Sequence, residues 1–140
     1  MKILISAFAC QPGRGSEPGA GWGWISGIAK FHQVHLITTE LGKEAIEATA
    51  HNVTVHYLPI KKLLPGTLGW LAYYLWQWRA GGLALRLHKL ERFDLCHALN
   101  YFSWRVPSFL WRLNIPFFWG PLGGAQNPPK VSPVCWASGD

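Results

Sequence analysis

A glycine-rich stretch is the part of this sequence whose residue types and spacing point most directly to ligand binding. It covers residues 13 to 24 and reads GRGSEPGAGWGW. Glycines let a backbone approach a ligand closely. A helix that follows such a loop offers free N–H groups and the positive end of its dipole to a phosphate. The stretch therefore predicts a ligand-contacting loop, with an ordinary tight turn as the alternative.

The glycine spacing departs from the two commonest phosphate-binding motifs. Counted from Gly13, the last glycine of a dinucleotide fingerprint is replaced by Pro18, and counted from Gly19 it is replaced by Trp24. The Lys-Ser/Thr pair of a phosphate-binding loop is also missing from the stretch. A nucleotide-dependent oxidoreductase is therefore disfavoured, although Glu40 follows the second predicted strand, where a ribose-binding acid would lie.

Two titratable residues are candidates for the chemistry of the site. Glu17, inside the glycine-rich stretch, would accept hydrogen bonds from sugar hydroxyls or, alternatively, complement the dipole of the following helix. His97 ends a predicted strand, where an imidazole can bind a hydroxyl or phosphate or transfer a proton; the alternative is a partly buried structural histidine. Cys96 precedes His97 on the strand and faces the opposite side, so the two cannot form a nucleophile and base pair.

A second glycine turn closes the last predicted strand. The segment PFFWGPLGG spans residues 116 to 124 and contributes Gly120, Gly123 and Gly124. The carboxyl ends of parallel strands lie at one edge of a sheet, so we expect the two glycine turns to meet there and form one site.

The sequence predicts no metal site and no disulfide framework. Five further histidines lack metal-ligand spacing and are interpreted as surface or core residues: His32, His35, His51, His56 and His88. The three cysteines are too few and too widely spaced for a zinc knuckle or a set of disulfides, which fits a reducing compartment: Cys10, Cys96 and Cys135.

Short apolar runs alternate with segments of helical period, and this pattern predicts an open, mostly parallel Rossmann-like α/β sheet with helices on both faces. Several strands are apolar throughout, as in strands buried on both faces. The predicted strands are Lys2–Phe8, Val34–Thr39, Val53–Leu58, Asp94–Ala98 and Pro116–Trp119. The predicted helices are Ala20–Phe31, Glu40–Ala50, Leu68–Arg92 and Ser103–Leu113.

Length and composition fit one compact domain. The chain has 140 residues, 49% of them hydrophobic and 14% charged. We expect the domain to span residues 1–126, followed by an irregular, proline-containing tail at 127–140. The apolar start is interpreted as a strand rather than a secretion signal, which predicts a cytoplasmic protein.

The net charge of +6 favours an anionic partner. The basic residues are scattered, with Lys61-Lys62 as the one adjacent pair, so a nucleic-acid interface is not predicted. An aromatic segment lies between this lysine pair and Lys89. Its uncharged part, residues 63–78, is too short to span a bilayer. Residues 61–89 are interpreted as a peripheral membrane contact or, alternatively, as a core helix.

Three segments together, SAFACQPGRGSEPGAGWGW, FDLCHALNY and IPFFWGPLGG, resemble the N-terminal half of family 4 glycosyltransferases. That family has the GT-B fold, in which two Rossmann-like domains face each other and the N-terminal one holds most of the acceptor. The resemblance implies that the glycine loop faces the donor's phosphates and sugar, with the turn of Gly120, Gly123 and Gly124 beside it. The implied loop residues are Gly15, Ser16, Glu17, Pro18 and Gly19. Many relatives have two histidines one residue apart after the fourth strand, of which His97 matches the first and Leu99 stands at the second.

The family chemistry implied is retaining transfer of a sugar from a nucleotide sugar, UDP- or GDP-linked, without a required metal or other cofactor. The acceptor would be a glycan or glycolipid in surface polysaccharide synthesis. The donor-binding C-terminal domain, with its paired glutamates, is absent from this sequence, so we expect no turnover by the chain alone. The alternative is a non-catalytic binding module or remnant that pairs with a separate C-terminal half. We also expect that Gly19→Val abolishes transfer in the complete enzyme and leaves the fold intact.

Overall fold

The computed structural model describes residues 1–60, 69–99 and 105–122. Within them, five parallel strands form one sheet in the order β3-β2-β1-β4-β5. The strands are β1 Lys2–Ala7, β2 Gln33–Thr38, β3 Val53–Tyr57, β4 Leu95–Ala98 and β5 Phe117–Trp119. This confirms the predicted open, parallel, Rossmann-like sheet.

Helices cover both faces of the sheet. They are α1 Ser16–Ala29, α2 Lys43–Thr49 and α3 Gly69–Glu91, and a 3₁₀ turn follows at Leu110–Leu113. The core cluster on one face includes buried residues of α1 and α2, and the cluster on the other includes buried residues of α3 and the 3₁₀ turn.

The central strand shows why the apolar runs form this sheet. Ile3 and Ile5 of β1 pack toward α1 and α2, whereas Leu4 packs toward α3, and all three are buried. Complete burial of such a side chain stabilises the fold by about 1.5–3 kcal/mol. A strand covered on both faces therefore needs apolar residues at successive positions.

Helix α3 packs through large aromatic residues near its start and small residues further along. The Phe8 ring meets those of Tyr73 and Trp76 edge to face, with centroids 5.0 and 5.1 Å apart. The Trp76 indole N–H donates to the Leu58 carbonyl oxygen at 2.9 Å. At Gly81 the 3₁₀ turn comes so close that an added Cβ would lie 2.5 Å from Cβ of Phe109.

The prediction of a helix over Ser103–Leu113 is wrong for the described residues from 105 onward, where only the 3₁₀ turn forms. Pro107 explains this, because proline removes a helical hydrogen bond and disfavours helical geometry in the residue before it. Asn114 then ends the turn in a left-handed conformation, with φ of 56°.

Two helix starts also differ from prediction. Helix α1 begins at Ser16 rather than Ala20, so the SEPG residues form its first turn. Pro18 is tolerated there because first-turn N–H groups have no partner within the helix. Helix α2 begins at Lys43 rather than Glu40, after Gly42 with φ of 77°. The strand bounds agree with prediction to within one residue.

Candidate functional site

The carboxyl ends of the strands form the edge of the sheet at which the predicted site residues lie. The chain leaves β1 toward β2 on one side and β4 toward β5 on the other, so the strand order reverses between β1 and β4. Such a switch point opens a crevice at the carboxyl ends of the strands, which is where open α/β folds bind ligands.

The glycine loop after β1 folds back over the first turn of α1. The Gln11 N–H donates to the Pro18 carbonyl oxygen at 3.0 Å. A side chain at Gly19 would collide with the Arg14 carbonyl oxygen. The close approach of the Arg14 backbone therefore requires glycine at this position. Gly19→Val would therefore displace the loop, contrary to the expectation that it leaves the fold intact.

The start of α1 has no side-chain cap. Gly15 is the N-cap residue and makes no side-chain hydrogen bond, and Ser16 follows with φ of 62°. The first N–H groups of a helix lack intrahelical partners, so this end can bind an anion or a polar group. Glu17 lies in the first turn, where burial raises the pKa of its carboxyl. The first-turn position is compatible with the helix-dipole interpretation, although a dipole would lower this pKa rather than raise it. Both the dipole role and a contact with a sugar hydroxyl stay predictions.

His97 connects three elements at the crevice. Its Nε2 lies 2.8 Å from the Gly120 carbonyl oxygen, just after β5. Its ring also meets the Trp24 ring of α1 and the Phe118 ring of β5, with both centroid distances at 6.3 Å. The structure thus brings His97 together with Gly120 and with the helix that follows the glycine loop.

The hydrogen bond to Gly120 fixes the tautomer of His97. A carbonyl oxygen only accepts, so Nε2 must carry the proton, and a neutral ring then presents Nδ1 as an acceptor. Burial lowers the pKa of His97 below its ordinary value of 6.5, with the hydrogen bond to Gly120 opposing the shift. At neutral pH the ring can therefore accept a hydrogen bond or a proton at Nδ1.

The second glycine turn is described only at its start. Gly120 has φ of 141°, a conformation that disfavours any side chain, and its N–H donates to the Ala98 carbonyl oxygen at 3.1 Å. Its backbone thus contacts β4 through the N–H and His97 through the carbonyl group. Gly123 and Gly124 lie outside the described residues.

Sequence reasoning missed the two aromatic residues beside His97. Trp24 and Phe118 are exposed, yet both contact the imidazole. Trp24 stands in the glycine-rich stretch, which was a signal for it, but only the structure shows that its ring meets that of His97. Leu99, at the position of the second family histidine, is buried in the core cluster under α1.

The neighbouring cysteine faces the other side of the sheet, as predicted. The Cys96 thiol lies 3.7 Å from the Leu110 carbonyl oxygen, on the α3 face. Burial raises the pKa of Cys96 to about 11 and that of Cys10 to about 12. Both thiols are free and protonated at neutral pH, so neither is an activated nucleophile.

A histidine cluster that the sequence did not reveal lies between β2, β3 and the end of α3. His35 Nδ1 is 3.2 Å from His56 Nε2, and the two rings are stacked. Phe93 packs against both His35 and His88. In the described ranges, no group of three or more His, Cys, Asp or Glu side chains could hold a metal ion.

The described residues also form two open grooves that do not include His97. The first, of about 850 Å³, is at the amino ends of the strands and includes Lys2, His32 and Asn52. The second, of about 580 Å³, follows the outer side of α1 from Ala20 to His32 and includes Trp24. Only the second touches a residue of the candidate site.

Comparisons with known proteins support the fold alone. No family model matches the chain, and no curated protein matches it. Among solved structures, the C-terminal domain of a hydrogenase from Pyrococcus furiosus is similar, with a TM-score of 0.50 and 20% sequence identity. The similarity covers 84% of this chain and 89% of that domain. It agrees with an open α/β architecture.

Residues 69–89 of the predicted membrane contact lie in α3. Over the residues that the structure covers, no helix is long and apolar enough to cross a membrane. Residues 61–68, the start of the predicted membrane contact, lie outside the described residues.

Proposed function

We propose that this chain is the acceptor-side domain of a glycosyltransferase with the GT-B fold. The complete enzyme would transfer a sugar from a UDP- or GDP-sugar to a glycan or glycolipid acceptor in surface polysaccharide synthesis. The observation that carries the proposal is the 2.8 Å hydrogen bond between His97 and Gly120. It joins β4 to the second glycine turn beside α1, which agrees with the arrangement implied by the family resemblance.

Each part of the site has a role in this proposal. The start of α1, from Gly15 to Gly19, faces the phosphates and sugar of the donor, because its free N–H groups stabilise negative charge. His97 accepts a hydrogen bond from a sugar hydroxyl at Nδ1, because Nε2 is committed to Gly120. Gly120 keeps the second turn close to this ring.

A second domain completes the proposed enzyme. In the family that the sequence resembles, a C-terminal domain holds most of the donor and supplies two glutamates. We propose that a domain of this kind, in the same or another polypeptide, faces the crevice of this one. Sugar transfer would take place on the cytoplasmic side, at the membrane surface where glycolipid acceptors are found.

Binding of nucleotide sugars tests the proposal. Ligand-observed NMR would compare UDP-glucose, GDP-mannose, NAD⁺ and inorganic phosphate as ligands of the purified chain. We expect weak, millimolar-range binding of a nucleotide sugar, no preference for NAD⁺, and at least a fivefold loss of affinity in His97→Ala. His51→Ala is the matched control, because His51 is exposed and lies at the opposite edge of the sheet, just before β3. Preferential binding of NAD⁺, or unchanged affinity in His97→Ala, would contradict the proposal.

A further inference from the structure

The outward side of α3 carries a stripe of exposed aromatic residues. Trp70, Tyr74 and Trp78 are 65%, 38% and 57% exposed, and they follow one another at intervals of four residues. Residues four apart lie on the same side of an α-helix. We call these three residues the aromatic stripe.

The aromatic stripe is not needed to hold α3 on the sheet. The helix is attached by other side chains, among them Tyr73, Trp76 and Ala80, which are buried in the core cluster. Among these three residues, only Tyr74 has a ring contact with another residue that the structure describes, Phe109, at a centroid distance of 5.6 Å. The exposed Trp rings therefore add apolar surface that the described part of the fold does not use, and such surfaces indicate an interaction site.

Basic residues lie on the outward side of α3 near its C-terminal end. Arg86 and Lys89 are exposed and follow Trp78 by eight and eleven residues, so the 3.6-residue repeat turns them outward with it. The one acidic residue of α3, Glu91, is paired with Lys2 at 2.9 Å. The outward side of the helix thus combines aromatic rings and positive charge with no acidic residue.

We propose that the outward side of α3 docks on the surface of an anionic lipid bilayer. Indole and phenol rings are apolar with one polar group, which favours the headgroup region, and basic side chains are attracted to anionic headgroups. A second copy of this chain fits less well, because Arg86 and Lys89 would meet like charges on a protein of net charge +6. A helix of 23 residues would lie in the plane of the membrane over about 35 Å.

This docking goes beyond sugar transfer and does not depend on it. It would hold the domain at the surface where lipid-linked molecules are found. A failure of nucleotide-sugar binding would leave the docking proposal standing, and a failure of docking would leave the crevice at His97 unaffected.

Co-sedimentation with lipid vesicles tests the docking. The purified chain would be mixed with vesicles of phosphatidylcholine alone or with 30% phosphatidylserine, at low and at physiological salt. We expect binding to the anionic vesicles, a decrease with salt, and at least tenfold weaker binding to neutral vesicles. Indole fluorescence should shift to shorter wavelength on binding, because the Trp rings leave water.

Matched variants locate the docking surface. Trp70→Ser/Trp78→Ser and Arg86→Glu/Lys89→Glu should each reduce binding to anionic vesicles at least tenfold. Phe31→Ser is the control, since Phe31 is 81% exposed and follows α1 on the opposite face of the sheet. Circular dichroism and thermal melting would show that each variant is folded. Only folded variants enter the comparison, and if a Trp→Ser pair unfolds, Trp70→Tyr/Trp78→Tyr, with an expected threefold loss, takes its place.

Three results would overturn the proposal. The wild-type chain could stay in the supernatant with anionic vesicles at low salt. The aromatic or the charge-reversed variant could bind as tightly as the wild type. Analytical ultracentrifugation could also show a dimer that Trp70→Ser/Trp78→Ser dissociates, which would assign the stripe to a second copy of the chain.

Discussion

The tautomer and the pKa of His97 depend on the groups that contact its ring. The Gly120 carbonyl oxygen fixes the proton on Nε2, and partial burial against Trp24 and Phe118 keeps the ring neutral. An isolated histidine on a surface has neither a fixed tautomer nor a lowered pKa. This arrangement is what makes His97 a candidate for binding a hydroxyl, and it depends on a glycine 23 residues further along the chain.

The glycine loop gives a prediction for single residues. In Gly19→Ala the new Cβ meets the Arg14 carbonyl oxygen, a backbone atom that cannot rotate away. We expect the free energy of unfolding in urea to fall by about 2 kcal/mol, as in overpacked sites.

Gly23→Ala is the control for this prediction. Gly23 lies in the same helix with open space around it, so alanine there should stabilise the chain by about 0.5–1 kcal/mol through helix propensity. Equal effects of the two substitutions would show that the loop does not press on Gly19.

At the scale of the elements, contacts between strand, helix and turn decide what the sequence alone leaves open. The apolar runs predicted the strands because both faces of a covered sheet require them. The predicted Ser103–Leu113 helix is wrong from residue 105 onward, because Pro107 disfavours helical geometry in that part of the chain. The pairing of His35 with His56 could not be predicted, because it needs the register of β2 against β3.

The His35–His56 pair predicts that the free energy of unfolding decreases as the pH is lowered. Burial lowers the pKa of both residues below their ordinary value of 6.5; the nearby Glu91 opposes this shift, and Lys2 adds to it at His35. As pH falls below 6.5, the unfolded chain binds protons that the folded chain still excludes, so the free energy of unfolding decreases until the folded pKa values are reached. His88 packs on the same Phe93 and belongs to this environment.

Urea denaturation between pH 7.5 and pH 5 measures this effect. We expect a steady loss of stability and a shallower slope in His56→Leu, which removes one titrating ring. His97→Gln should also make the slope shallower, because burial lowers the pKa of His97 as well, and the double variant His56→Leu/His97→Gln should have a shallower slope than either single variant. A flat profile in the wild type, or the same slope in His56→Leu, would contradict the assignment.

The contact between α3 and the 3₁₀ turn gives a second prediction at this scale. In Gly81→Ala the added Cβ would press on Phe109, and we expect a loss of about 1–2 kcal/mol in the free energy of unfolding. Gly82→Ala, one residue later and facing open space, should gain about 0.5–1 kcal/mol. Thermal melting of the two variants checks the contact, and a stabilised Gly81→Ala would show that the turn packs elsewhere.

At the scale of the whole molecule, the sheet explains why separate sequence motifs lie at neighbouring strand ends. The glycine loop, His97 and Gly120 are far apart in the chain, and the strand order β2-β1-β4-β5 brings their elements to neighbouring positions. Spacing along the sequence could predict that each motif ends a strand. It could not predict that Trp24 would reach His97, because that contact depends on how α1 packs against the sheet.

In the proposed enzyme, donor binding requires a second domain, so we predict that this chain alone is inactive. The donor-binding wall and the paired glutamates of the resembling family lie in the second domain. We therefore expect no sugar transfer when the purified chain is incubated with radiolabelled UDP- or GDP-sugars and a membrane extract treated to destroy endogenous transferases. Turnover above the rate with the extract alone would contradict this prediction.

The most direct test of the central claim is to map where a nucleotide sugar binds. Two-dimensional amide NMR of the ¹⁵N-labelled chain would be recorded during titration with UDP-glucose and GDP-mannose. We predict that one of them shifts the amide signals of Gly15–Gly19 and Gly120 and the indole N–H signal of Trp24 together, because the proposed site includes all of these groups. Shifts confined to the groove around Lys2, His32 and Asn52, or no shift with either ligand at millimolar concentration, would contradict it.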